Sequence, residues 1–114
     1  MIKFVGLIRL KPGYDPEETW KLWQTKHTVW AKKSLLPDLK KYTINRVIST
    51  IGESNVYGFS EMLFEDVDSC KRAFKRLLES TPDEVLPRFQ LERIMLEYVD
   101  VPLDKTMISE KVKK

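Results

Sequence analysis

The chain has 114 residues and a formal net charge of +3, with 20 Lys and Arg against 17 Asp and Glu. That length holds one domain with a small core. The charges are interleaved, which argues against a nucleic-acid surface, and no apolar run nears the roughly 20 residues that span a membrane. The opening Met1-Ile2-Lys3-Phe4 lacks the apolar stretch of a secretory leader, and the single Cys70 cannot close an internal disulfide. A cytoplasmic location is therefore the expectation.

The first element is a strand over residues 2–11, with Ile2, Phe4, Ile8 and Leu10 on one face and Val5 and Leu7 on the other. Lys11-Pro12-Gly13-Tyr14 ends it with turn chemistry. Asp15 then caps a helix running from Pro16 to about Lys33, with Glu18 placed to return a bond to the amide of Asp15. Pro37 stops it. A second strand spans Leu39 to Ile51, where Tyr42, Ile44 and Ile48 oppose Leu39 and Val47. After the turn Gly52-Glu53-Ser54-Asn55, a third strand runs from Val56 to Glu65 and is again apolar on both faces. Asp66 caps a second helix with a buried stripe of Val67, Cys70, Phe74 and Leu77. Pro82 and Pro87 bracket an irregular piece, and Phe89 to Val99 forms a fourth strand.

This order predicts an α+β, ferredoxin-like βαββαβ fold over residues 1–101, with an antiparallel sheet and both helices on one face, followed by a polar tail at 102–114. A sheet that is apolar on both sides needs a second cover. The simplest is the same sheet from another copy, so a homodimer is expected.

One constellation carries chemistry. Trp20, Trp23, His27 and Trp30 fall at i, i+3, i+7 and i+10, on one side of the first helix. The only histidine thus shares its face with all three tryptophans. An imidazole among aromatic walls is biased toward the neutral form that a general base requires. The plainer alternative is a packed core histidine with core tryptophans. Glu61 alternates with Phe59 and Leu63 on an apolar face, where a carboxylate needs a partner; Arg46 or Arg93 can supply one. Cys70 lies on a buried stripe and reads as inert packing. No phosphate loop, dinucleotide fingerprint or zinc ligand set is present, so chemistry without cofactor or metal is expected.

Three motifs together resemble the EthD family: Trp23-x-x-x-His27, Leu36-Pro37-Asp38-Leu39-Lys40-Lys41-Tyr42-x-x-Asn45, and Gly58-Phe59-Ser60-Glu61-Met62-Leu63-Phe64. The likeness spans about residues 2–99. It implies a dimeric α+β barrel with a pocket between helices and sheet. Relatives in that superfamily include isomerases, polyketide cyclases, and cofactor-free or haem-dependent monooxygenases. Carried over, the resemblance implies His27, Tyr42 and Glu61 as catalytic residues. Methylmuconolactone isomerases that look like this family place a cysteine where this chain has Met62, and Val29 stands where family members often have proline.

The expected function is a small cofactor-free enzyme of isomerase, cyclase or dehydratase type. Its substrate would be a hydrophobic carbonyl, lactone or polyketide-like molecule held by Trp20, Trp23, Trp30, Phe59 and Met62. His27 would be the base, Tyr42 a donor to the enolate oxygen, and Glu61 the orienting acid. The competing expectations are a non-catalytic dimeric ligand-binding or accessory protein, and a cofactor-free or haem-dependent monooxygenase using His27 as axial ligand.

Overall fold

The computed structural model describes residues 1–103. It is an α+β, ferredoxin-like arrangement of β1 (Ile2–Leu10), α1 (Pro16–Leu22), a π turn (Trp23–His27), α2 (Thr28–Leu35), β2 (Lys41–Arg46), β3 (Gly58–Phe64), α3 (Val67–Glu79) and β4 (Phe89–Glu97). From residue 104 onward, the expected polar tail lies outside the described residues. Among the described residues no helix is long and apolar enough to cross a membrane.

Asp15 caps α1 by accepting the Glu18 amide at 2.8 Å, and Pro16 fills the first helical position. The expected return bond from Glu18 is not made. Its carboxylate instead meets Arg88 at 3.1 Å, because a cationic partner from a distant loop outcompetes a local amide. Helical dihedrals run without a break through the π turn into α2, so the helix ends at Leu35 rather than Lys33. Asp66 caps α3 by accepting the Ser69 amide at 2.7 Å. Of the expected α3 stripe, Cys70 and Leu77 are buried and Phe74 partly so. Val67, the first residue of the helix, is 39% exposed.

The sheet order is β2-β3-β1-β4, with every neighbour antiparallel. Period two sends Phe4, Gly6 and Ile8 of β1 toward the helices, with Gly58, Ser60, Met62 and Phe64 of β3. β2 is shorter than its β-rich sequence suggests. Leu39 precedes it, in the turn after α2, where its amide bonds the Leu35 carbonyl at 3.1 Å, and its side chain joins the core beside Tyr42. Period two does not apply there, so Leu39 and Tyr42 end on the same side. The outward face of β2 is Lys41, Thr43 and Asn45, so two-sided apolarity holds for β1, β3 and β4 but not β2.

The core divides into two clusters. One gathers Phe4, Leu35, Met62, Phe64 and Leu77; the other gathers Ile8, Trp23, Val85 and Phe89. The register explains the division. One row across the sheet reads Tyr42, Met62, Phe4, and another reads Gly58, Ile8, Leu91. Between them lies a row of Ile44, Ser60, Gly6 and Arg93, with its two smallest residues on the central strands. A Cβ at Gly6 would sit 2.5 Å from the Ser60 hydroxyl oxygen, so glycine is needed to admit that side chain. Small residues at the middle of the row leave a hollow that large ones would fill.

Candidate active site between helices and sheet

The hollow is a cavity of about 40 Å3 whose floor is Gly6 and Ser60. Its walls include Phe4, Ile8, Tyr42 and Met62 from the sheet, and Trp23, His27, Trp30 and Ala31 from the first helix. At roughly 10–15 Å3 per water centre, the enclosed space admits about three heavy atoms. Arg93 also lines it yet is exposed to solvent, so it stands where the cavity meets water.

The π turn delivers the histidine. Such turns widen the helix locally and recur at functional sites. Trp23 opens this one and His27 closes it, and both are buried. The imidazole packs edge-on to Phe89 at 5.7 Å and tilted to Trp30 at 5.2 Å. Its Nδ1 lies 3.0 Å from both carboxylate oxygens of Asp83. Asp83 is itself fixed, accepting the Leu86 amide at 3.0 Å. A carboxylate only accepts, so Nδ1 carries the proton and donates it, while Nε2 keeps its lone pair. Nε2 has no hydrogen-bond partner among the described residues. Burial lowers the imidazole pKa below its ordinary value; Asp83 opposes this and the Arg93 charge adds to it. Tyr42 is held well above the usual phenol range, chiefly by burial, so it remains a protonated donor.

Of the eight residues expected at the site, five, His27, Tyr42, Trp23, Trp30 and Met62, line one cavity. Glu61 does not join them: on β3 it alternates with Ser60 and Met62 and so faces away from the helices. Its oxygens meet Lys3 Nζ at 3.6 Å and Asn45 Nδ2 at 3.3 Å, rather than Arg46 or Arg93. Phe59 shares that outer face, in a depression with Val5, Asn45 and Glu61. Trp20 lies a helical turn before the cavity, packed edge-on against Trp23 at 5.3 Å and capped by the Arg46 guanidinium at 5.5 Å. Trp30 uses its indole N–H structurally, donating to the Thr81 carbonyl at 2.8 Å.

Sequence reasoning missed Asp83, Ser60, Gly6 and Arg93 as site residues. Asp83 has a local signature, an acid three residues before the amide it caps, in the irregular stretch between Pro82 and Pro87. Gly6 and Ser60 are small residues at inward positions of otherwise apolar strands, a pattern that marks a void. Cys70 is buried, and its thiol is pushed up to about 11 by desolvation, in keeping with inert packing. Among the described residues no three His, Cys, Asp or Glu side chains converge on a metal-sized point. Haem does not fit here: an Nδ1 bonded to Asp83 would leave Nε2 to ligate, but the hollow that His27 lines is only about 40 Å3, far below the roughly 300–1,000 Å3 of cofactor sites.

Comparison with known proteins places the architecture. No protein-family model and no curated protein sequence matches the chain. Among solved structures it is similar to an ethyl tert-butyl ether degradation (EthD) family protein from Bacillus halodurans, 20% identical, covering 87% of this chain and 99% of that one with a TM-score of 0.59. It is also similar to SnoaB, a cofactor-independent oxygenase from Streptomyces nogalater, at 15% identity, 88% and 94% coverage and a TM-score of 0.56. A NIPSNAP domain protein from Burkholderia xenovorans gives 17% identity, 91% and 100% coverage and a TM-score of 0.63. The likeness establishes the fold alone, the ferredoxin-like α+β arrangement that this chain shares with an EthD family protein, a cofactor-independent oxygenase and a NIPSNAP domain protein.

Proposed function

We propose that this chain is a small cofactor-free enzyme of isomerase, cyclase or dehydratase type that moves a proton next to a carbonyl group. The observation that carries the reading is the His27–Asp83 pair at 3.0 Å, made by an imidazole that lines the cavity and whose Nδ1 is the paired nitrogen. Asp83 fixes the tautomer and steadies the imidazolium once it forms. Nε2 takes a proton from the carbon beside the carbonyl, and the electron pair moves onto the carbonyl oxygen as an enolate. Tyr42 donates a hydrogen bond to that oxygen. Where a double bond adjoins that carbon, the enolate is an extended dienolate, and return of the proton to its far carbon completes an isomerisation. Trp30, Met62 and Phe4 exclude water around the reacting atoms. The enclosed volume suits the reacting end of a hydrophobic carbonyl compound or lactone, its remainder lying at the mouth.

The unit of function on this reading is a homodimer. Val5, Leu7, Phe59 and Leu63 form an outward apolar face that Ile94 and Leu96 extend, at 45% and 40% exposure. A second copy is the cover that matches it.

The test is exchange of carbonyl-adjacent protons for deuterium, followed by proton NMR across a panel of small ketones, oxo acids and lactones. The wild type should accelerate exchange in at least one, and His27→Ala should return it to background with an unchanged circular dichroism spectrum. Exchange that survives His27→Ala would overturn the reading. Saturable binding without exchange would favour the ligand-binding alternative.

A further inference from the structure

The Trp23 indole is fully buried, and its Nε1 has no hydrogen-bond partner. A buried N–H left unpaired carries a desolvation cost, and native structures rarely tolerate one without a reason. The orientation of the ring supplies that reason. Its benzo edge lies over Gly58, where a Cβ would come within 2.9 Å of two ring carbons. The pyrrole edge is therefore turned away from Gly58, toward the Tyr42 hydroxyl, which lies near enough for the N–H to ease ionisation of the phenol but is not aligned for a hydrogen bond. Both residues line the cavity. Trp30 makes the contrast, for its indole N–H is satisfied by the Thr81 carbonyl.

Besides the imidazole of His27, the polar side chains that line this cavity can all donate. Trp Nε1–H only donates, and an arginine guanidinium only donates and stays cationic. The protonated Tyr42 adds an O–H, as does Ser60 on the floor. Among the described residues no carboxylate pairs with Arg93, although every other arginine that meets an acid is drawn into such a pair: Arg9, Arg46, Arg72, Arg76 and Arg88. Only Asp83 carries an acceptor charge nearby, and it is committed to His27 and the Leu86 amide.

Resting on the proton-transfer reading above, we propose that the substrate is a small oxo acid. Its carbonyl oxygen is bound inside by the Trp23 indole N–H together with Tyr42, and its carboxylate pairs with Arg93 at the mouth. Three heavy atoms fit within, which matches a methyl ketone end, and the acid group is left at the solvent boundary. Trp23 is then a binding residue for the reacting oxygen, and Arg93 sets the preference for an anion.

The experiment uses pyruvate and its neutral counterpart, methyl pyruvate, with 15N-labelled protein and NMR of the indole N–H signals. Trp23 is assigned by loss of one signal in Trp23→Phe. Pyruvate should shift that signal saturably and leave the Trp30 signal in place. It should bind about tenfold tighter than the ester, and Arg93→Gln should erase that difference. Trp23→Phe should weaken both probes about tenfold. Equal affinity of acid and ester in the wild type overturns the proposal, as does binding that leaves the Trp23 signal unmoved, or no saturable binding of either. The acid–ester comparison needs no core variant, so it stands even where Trp23→Phe folds poorly. Exchange of the pyruvate methyl protons in deuterium oxide is read in the same tubes. Exchange with no acid preference sinks this inference alone; acid-selective binding without exchange sinks the proton-transfer reading alone.

Discussion

The two faces of the four-stranded sheet carry similar apolar loads and meet different fates. Inward, Phe4, Ile8, Met62 and Phe64 are sealed beneath the helices, with a hollow left at Gly6 and Ser60. Outward, Val5, Leu7, Phe59 and Leu63 lie only half-buried, with no element of the described chain laid over them. Each side also has its carboxylate. Asp83 has a side chain only 12% exposed and grips the imidazole, whereas Glu61 is 39% exposed and shared between Lys3 and Asn45. The same chemical group is thus an orienting acid in one place and a surface partner in the other. Burial against His27 makes the difference, since solvent screens the outer pair and not the inner one.

The largest expected effect separates neighbours on β3. Phe64 is fully buried and stacks edge-on with Phe74 at 6.1 Å, so Phe64→Ala should cost about 3–5 kcal/mol in urea unfolding. Leu63→Ala, one residue away and outward, should cost less than half as much in dilute monomer. Equal costs would mean that the outer face is as well packed as the inner one. Next come the two acids. Asp83→Asn should lower exchange activity about 10²-fold, or ~2.7 kcal/mol, because an amide can hold the wrong tautomer. Glu61→Gln should leave activity within twofold. A large loss in Glu61→Gln would show that the outer acid acts on the cavity after all. Third, Leu7→Glu places a charge at the centre of the open face. By analytical ultracentrifugation it should weaken self-association more than about tenfold while leaving the monomer folded. A dimer unaffected by that change would have to form through another surface.

Much of this was legible from residue order alone. The caps at Asp15 and Asp66, the alternation of β1 and β3, and the aromatic setting of His27 all follow from local rules that the structure obeys. The partner of His27 was not, because Asp83 lies 56 residues away in a stretch with no periodicity. Alternation correctly grouped Glu61 with Phe59 and Leu63. It could not say that this group and His27 occupy opposite sides. Strand register settles that: Tyr42 pairs with Met62, so the tyrosine and the methionine share the cavity face and Glu61 cannot. The helical wheel failed for Trp20 in a similar way, since a shared angular position does not ensure a shared height along the axis.

The smallest effect expected is also the one that isolates a single group. His27 titrates below its ordinary value of 6.5, with burial as the main cause. The unfolded chain therefore binds a proton there before the folded one does. Stability from this group is fully present above 6.5 and is lost as pH falls from 6.5 through the lowered folded value. Asp38 and Asp66 are also held below their ordinary 3.8, by Arg72 and Arg76 and by Ser69, so their share is lost only at more acid pH. Two windows should appear in a plot of urea-unfolding free energy against pH. His27→Gln should flatten the upper one and leave the lower one in place, and exchange activity in the wild type should decline on the acid side of 6.5 with the same midpoint as the upper window. An upper window that persists in His27→Gln would assign it to another group. A decline in activity centred above 6.5 would mean that Asp83 outweighs burial, and that the base is held charged rather than neutral.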